Sequence, residues 1–128
     1  MVNATPFVAV VDDDASVGRA VKRLLRSVGI RADTFSSGDE FVDAISSMPS
    51  YRPGCVILDI QMPGLNGLEV QRRLAGTGIP VILITAHEDV DVREHAVASG
   101  AVGYLRKPFN GSLLIKTVQD ALGIAPAP

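Results

Sequence analysis

The chain has 128 residues, 47% apolar and 20% charged, with a formal net charge of −2. These values describe an ordinary single-domain globule, exclude a disordered or fibrous chain, and give no general attraction to nucleic acid or membranes. A chain of this size buries roughly two thirds of its unfolded surface, so it needs neither disulfide nor structural metal to fold. Its one cysteine, Cys55, excludes an internal disulfide and reads as a small core hydrophobe suited to a reducing cytosol.

No stretch approaches the ~18 apolar residues of a membrane span. The start, MVNATPFVAVVDDD, lacks the basic flank of a signal peptide. The expected location is cytoplasmic.

Short apolar runs alternate with longer amphipathic segments. Phe7 to Val11 reads as a first strand, stopped by Asp12, Asp13 and Asp14. Val17, Ala20, Val21, Leu24, Leu25 and Val28 recur at helical spacing before Gly29. Arg31 to Phe35 is a weaker strand, placed at an edge. Ser37 and Glu40 form a capping-box pattern for a helix carrying Phe41, Ile45 and Met48.

Cys55 to Leu58 is a buried strand that runs into Asp59. Asn66 and Glu69 open a helix reaching about Ala75, broken by Gly76-Thr77-Gly78. Pro80 to Thr85 is a fourth strand, and Asp89 to Ser99 a helix ended by Gly100. Val102 to Leu105 is a short fifth strand. Asn110 opens the last helix, with Leu113, Leu114, Val118 and Leu122 available for the core.

Strands alternating with helices call for βαβ units and a parallel sheet. The near-continuous apolar runs of the first, third and fourth strands suit a sheet covered on both faces. The expected fold is α/β: a doubly wound, flavodoxin-like sheet of five parallel strands in the order 2-1-3-4-5, with five helices. Residues 5 to 123 form this domain, and 124 to 128 are a tail or the start of a linker.

Ligands of such sheets bind outside the carboxyl ends of the strands. Asp12, Asp13, Asp59, Thr85 and Lys107 all fall there. Two carboxylates ~4 Å apart repel by about 4 kcal/mol at an effective dielectric of ~20. Three together call for a cation, raised pKa values or generous solvation. All-oxygen ligation suits Mg²⁺, so metal binding is the preferred reading for Asp12, Asp13 and Asp59, whereas Asp14 reads as a helix cap. A phosphate-binding loop would want glycines where DDD stands. An aspartyl-nucleophile hydrolase usually has a second acid two residues on, where Gln61 is found.

VVDDD at 10 to 14, LDIQMPGLNG at 58 to 67, ITA at 84 to 86 and YLRKPF at 104 to 109 together resemble the receiver domain of two-component response regulators. The similarity runs from about Phe7 to Leu122. It implies that Asp59 accepts a phosphoryl group. Asp13, Asp59 and the main-chain carbonyl of Gln61 would hold Mg²⁺ directly, with Mn²⁺ as a substitute, and Asp12 would act through a metal-bound water. Lys107 and the Thr85 hydroxyl would meet phosphoryl oxygens, Tyr104 matches the switch aromatic, and the Lys107-Pro108 bond is expected to be cis.

The donor implied is the phosphohistidine of a sensor histidine kinase or phosphotransfer protein. The recipient of the signal is an output domain or protein target, reached through the fourth helix, fifth strand and fifth helix. Direct nucleic-acid binding by this domain is not expected. Gln61 and His87 stand at variable positions by the pocket mouth and are candidates for setting phosphate lifetime.

Arg19, Lys22, Arg23 and Arg26 stripe the first helix, which in this family commonly docks on the kinase. ITAHEDV and GAVGYLRKPF look most like receivers with a helix-turn-helix output. Receivers preceding a winged-helix output pair through an acid just before the switch aromatic. Here that residue is Gly103, which argues against that pairing but not against a phosphorylation-dependent dimer of another kind. The rival reading is a receiver-like interaction module that never carries phosphate.

Overall fold

The computed structural model describes residues 6–86 and 90–124, apart from the Val92 side chain. In chain order the elements are β1 (Val8–Val11), α1 (Ala15–Arg26), β2 (Ala32–Phe35), α2 (Gly38–Ser47), β3 (Cys55–Asp59), α3 (Gly67–Arg73), β4 (Val81–Thr85), α4 (Val90–Ala98), β5 (Gly103–Arg106) and α5 (Gly111–Leu122). The strands form one parallel sheet in the order β2-β1-β3-β4-β5. This is the expected topology.

Side-chain alternation along the strands builds two cores. Val8, Val10, Ile57, Ile82 and Ile84 face α1 and α5, meeting Val21, Leu25, Leu114 and Val118. Ala9, Val11, Val56, Leu58 and Leu83 face the other helices and meet Phe41, Val70, Leu74 and Ala96. A strand buried on both faces has no solvent side, which is why β1, β3 and β4 read as unbroken apolar runs.

The β2 edge is closed by aromatic packing. The rings of Phe35 and Phe41 are 5.2 Å apart, and those of Phe7 and Tyr51 5.3 Å. The Tyr51 hydroxyl donates to Asp33 Oδ2 at 2.9 Å.

Local chemistry sets the helix ends. Asp14 caps α1, accepting from the Ser16 amide at 2.9 Å and its hydroxyl at 2.6 Å. Those two donors hold the Asp14 carboxyl below the usual carboxylate range. Asn66 and Glu69 form a reciprocal capping box on α3. The Ser37 pattern is only half realised: its hydroxyl accepts from the Glu40 amide at 3.0 Å, but the Glu40 carboxylate accepts from Ser36 at 2.9 Å.

Several expectations shift. α1 ends at Arg26, because Gly29 adopts φ 80° and the Ile30 amide turns back to the Leu25 carbonyl at 2.9 Å, leaving Val28 exposed. Leu113 is not a core residue: in the first turn of α5 it is 49% exposed, while Leu114 and Val118 take the inward stripe. Met48 caps α2 and is 48% exposed. Val102 precedes β5 and is also exposed. The expected α4 start at Asp89 lies outside the described residues. Among the described residues, no helix is long and apolar enough to cross a membrane.

Candidate functional site

Parallel pairing brings the carboxyl ends of β1, β3, β4 and β5 to one edge. Val11 is in register with Leu58, Asp59 with Ile84, and Thr85 with Arg106. The residues just beyond are tied by main-chain bonds. The Ile60 amide donates to Ile84 at 2.9 Å, and the Lys107 amide donates to the Thr85 carbonyl at 2.7 Å.

Each of Asp12, Asp13 and Asp59 offers a carboxylate oxygen, and these atoms lie within 4.8 Å of one another. Asp12 and Asp59 are buried, while Asp13 is exposed. The Lys107 ammonium stands 2.8 Å from Asp12 Oδ2 and 3.4 Å from Asp59 Oδ2. Asp12 Oδ1 accepts the Asp14 amide at 2.9 Å, so both Asp12 oxygens have partners within the chain. Asp59 is held more loosely, with the Gln61 amide 3.3 Å from Oδ1.

The electrostatics follow. Burial, then the charge of Asp12, raises the Asp59 pKa to about 6, against the opposing pull of Lys107 and the Gln61 amide. Burial draws the Lys107 amine down, but its hydrogen bond and charge pairing with Asp12 and Asp59 outweigh this and leave it above its ordinary value. The acids carry more negative charge than one lysine offsets. An all-oxygen cluster with that surplus fits a hard divalent cation such as Mg²⁺.

Thr85 is buried at the end of β4. The Lys107-Pro108 peptide bond is cis. Tyr104 is half-buried on β5, with the Arg93 guanidinium 6.0 Å from its ring centroid. The Gln61 side chain is exposed, while its amide reaches Asp59. His87 lies outside the described residues. Cys55 sits in the core at the far end of β3, where burial pushes its thiol up to about 12.

One feature escaped the sequence reading. Val17 and Ala20 of α1 gather with Pro108 and Phe109 on a shallow apolar surface beside Lys107. These residues are some ninety positions apart, so no local pattern announces their contact.

The family description "Response regulator receiver domain" matches residues 8–119, and the chain belongs to that family. It is thus a receiver domain of two-component response regulators. Response regulator protein TmoT of Ectopseudomonas mendocina is 40% identical over 119 residues, 91% of this chain and 53% of that protein. Nodulation protein W of Bradyrhizobium diazoefficiens is 41% identical over 117 residues, 90% of this chain and 50% of that protein. The chain therefore spans about half the length of these curated relatives. A crystal structure of a response regulator receiver protein from Burkholderia phymatum is similar with a TM-score of 0.88 and 69% identity, covering 97% of this chain and 100% of that one.

Proposed function

We propose that Asp59 is the phosphoacceptor of this receiver, in a reaction that depends on Mg²⁺. The observation that carries the reading is the convergence of Asp12, Asp13 and Asp59 with Lys107 at one sheet edge. An Asp59 carboxylate oxygen forms a bond to phosphorus while the P–N bond of a phosphohistidine donor breaks. Asp13, Asp59 and the Gln61 carbonyl would hold the metal directly. Asp12, both of whose oxygens are already engaged, would act through water. When bound, the cation offsets charge on the transferring oxygens.

The chain's own residues do the rest. Lys107 supplies fixed positive charge beside Asp12 and Asp59, and the Thr85 hydroxyl meets a second phosphoryl oxygen. The apolar surface of Val17, Ala20, Pro108 and Phe109 beside Lys107 suits a helix of the donor, either a sensor kinase or a phosphotransfer protein. Thr85 moving toward the phosphoryl group, with Tyr104 following, would change the α4-β5-α5 surface seen by an output domain or partner. Complete switching, from 1:99 to 99:1, needs about 5.5 kcal/mol of differential stabilisation, within reach of a few charge-assisted bonds of ~1.5–3 kcal/mol each.

The test is intact mass after incubation with Mg²⁺ and acetyl phosphate, beside Asp59→Asn and a metal-free control. One phosphoryl adduct absent from both controls supports the reading. No adduct, together with no binding of beryllofluoride and Mg²⁺, overturns it in favour of a phosphate-independent module.

A further inference from the structure

We infer that Gly67 is a positioning residue of this site, acting through the peptide that carries Asp59; the inference rests on the reading of Asp59 given above. Gly67 is the buried first residue of α3, and its amide donates to the Ile60 carbonyl at 3.0 Å. A methyl group on its Cα would lie 2.6 Å from the Asp59 carbonyl oxygen, 2.9 Å from the Ile60 Cα and 3.0 Å from the Asp59 carbonyl carbon. All three are main-chain atoms, which cannot rotate aside as a side chain does. Gly67 is not among the positive-φ glycines. What the position demands is space.

The turn pressed against Asp59 is itself pinned. The Asn66 side chain accepts from the Glu69 amide at 2.9 Å, and the Glu69 carboxylate accepts from the Asn66 amide at 3.2 Å. Across the loop, α2 makes a second close approach: a methyl on Gly38 would lie 2.7 Å from the Leu65 carbonyl oxygen. Residues 60–66, including the Gln61 amide that bonds Asp59 Oδ1, are held between these two contacts.

A side chain at position 67 therefore has no free direction. It displaces either α3 or the Asp59–Ile60 peptide. Asp13 and Lys107 follow other strands and do not move with it, so the spacing of the cluster changes. A misplacement of about 1 Å can cost about a hundredfold in rate.

The experiment compares Gly67→Ala with Gly54→Ala in the whole chain. Gly54 precedes the other end of β3, where an added methyl would meet the Leu122 side chain at 2.7 Å. The measurements are the thermal midpoint, the amide NMR shifts of residues 59–61 in metal-free protein, Mg²⁺ affinity by calorimetry, and the rate of phosphorylation by acetyl phosphate. Gly67→Ala is expected to move those amide signals, weaken Mg²⁺ binding roughly tenfold and slow phosphorylation at least as much. Gly54→Ala should lower the midpoint and leave the other three unchanged.

Wild-type Mg²⁺ affinity and amide shifts in Gly67→Ala would overturn the inference, as would equal losses in Gly54→Ala. If Gly67→Ala does not fold, Asn66→Ala, which loosens the same turn without adding bulk, carries the test; unchanged Mg²⁺ affinity there also overturns it. A wild-type chain that binds Mg²⁺ but takes neither a phosphoryl group nor beryllofluoride refutes the phosphoacceptor reading alone. The Mg²⁺ affinities and amide shifts of the variants still decide whether Gly67 sets the metal-site geometry.

Discussion

Lys107 is bound more closely to Asp12 than to Asp59, at 2.8 Å against 3.4 Å. The lysine is thus seated by the acid that also accepts the Asp14 amide, leaving Asp59 the less constrained carboxylate of the pair. For the nucleophile proposed above this is the useful arrangement: positive charge stands nearby without tying up the carboxylate oxygens.

Removing that cation leaves a fully buried Asp12 side chain beside Asp59 without its partner. Breaking a buried pair from one side costs about 3–5 kcal/mol. Because Lys107 is partly exposed and Asp59, with its raised pKa, can take up a proton, Lys107→Ala is expected to cost about 1–2 kcal/mol at pH 7. Urea unfolding should show a smaller loss at pH 5. Phosphorylation should slow by about a hundredfold or more.

The Asp59 pKa, raised from 3.8 to about 6 by burial and then by Asp12, makes this residue a burden on the metal-free fold at neutral pH. The native state holds the proton more tightly than the unfolded state, so between about pH 4 and 6 stability falls as pH rises. The penalty is absent below the unfolded value and fully present above the folded one. Asp59→Asn removes it. That variant should gain on the order of 2 kcal/mol at pH 7 and little at pH 4, as read by thermal melts at the two values. Equal gains at both would contradict the assignment.

Mg²⁺ should relieve the same repulsion. At a hundredfold excess over its dissociation constant, a ligand specific for the native state adds about 2.7 kcal/mol. The thermal midpoint of the wild-type chain is expected to rise with Mg²⁺. Asp13→Asn changes an exposed residue and so should fold normally, but its midpoint should be nearly independent of the metal.

Gly103 tests the packing behind Tyr104. A methyl there would lie 2.7 Å from Thr117 Cγ2 on α5. Gly103→Ala is expected to cost about 1–2 kcal/mol by overpacking, and Thr117→Ser in the same chain to recover most of it. A double-mutant cycle without coupling would show that α5 shifts freely. The same contact gives a physical reason why no acid precedes Tyr104 in this chain.

Much of this molecule was legible in its residues. Short apolar runs, helical spacing, capping residues and glycine stops located all ten elements, because burial on both sheet faces makes a strand apolar throughout and burial of one helix face imposes the 3.6-residue period. The sheet-edge rule also placed Asp12, Asp13, Asp59, Thr85 and Lys107 before any distance was known. Leu113 shows the limit. In sequence it is as apolar as Leu114, and only the rotation of α5 against the sheet decides which of the two is buried.

Other properties belong to the tertiary structure alone. Which acid seats Lys107, how far the Asp59 pKa rises, and the apolar surface joining Val17 to Phe109 all depend on separations of a few ångströms between residues far apart in the chain. The same is true of Gly67. A glycine in a loop motif reads as a turn residue, whereas here the demand comes from the backbone of Asp59 packed against it. Periodicity reports which side of an element faces inward. Interaction energies that change steeply with distance are settled only when the elements pack.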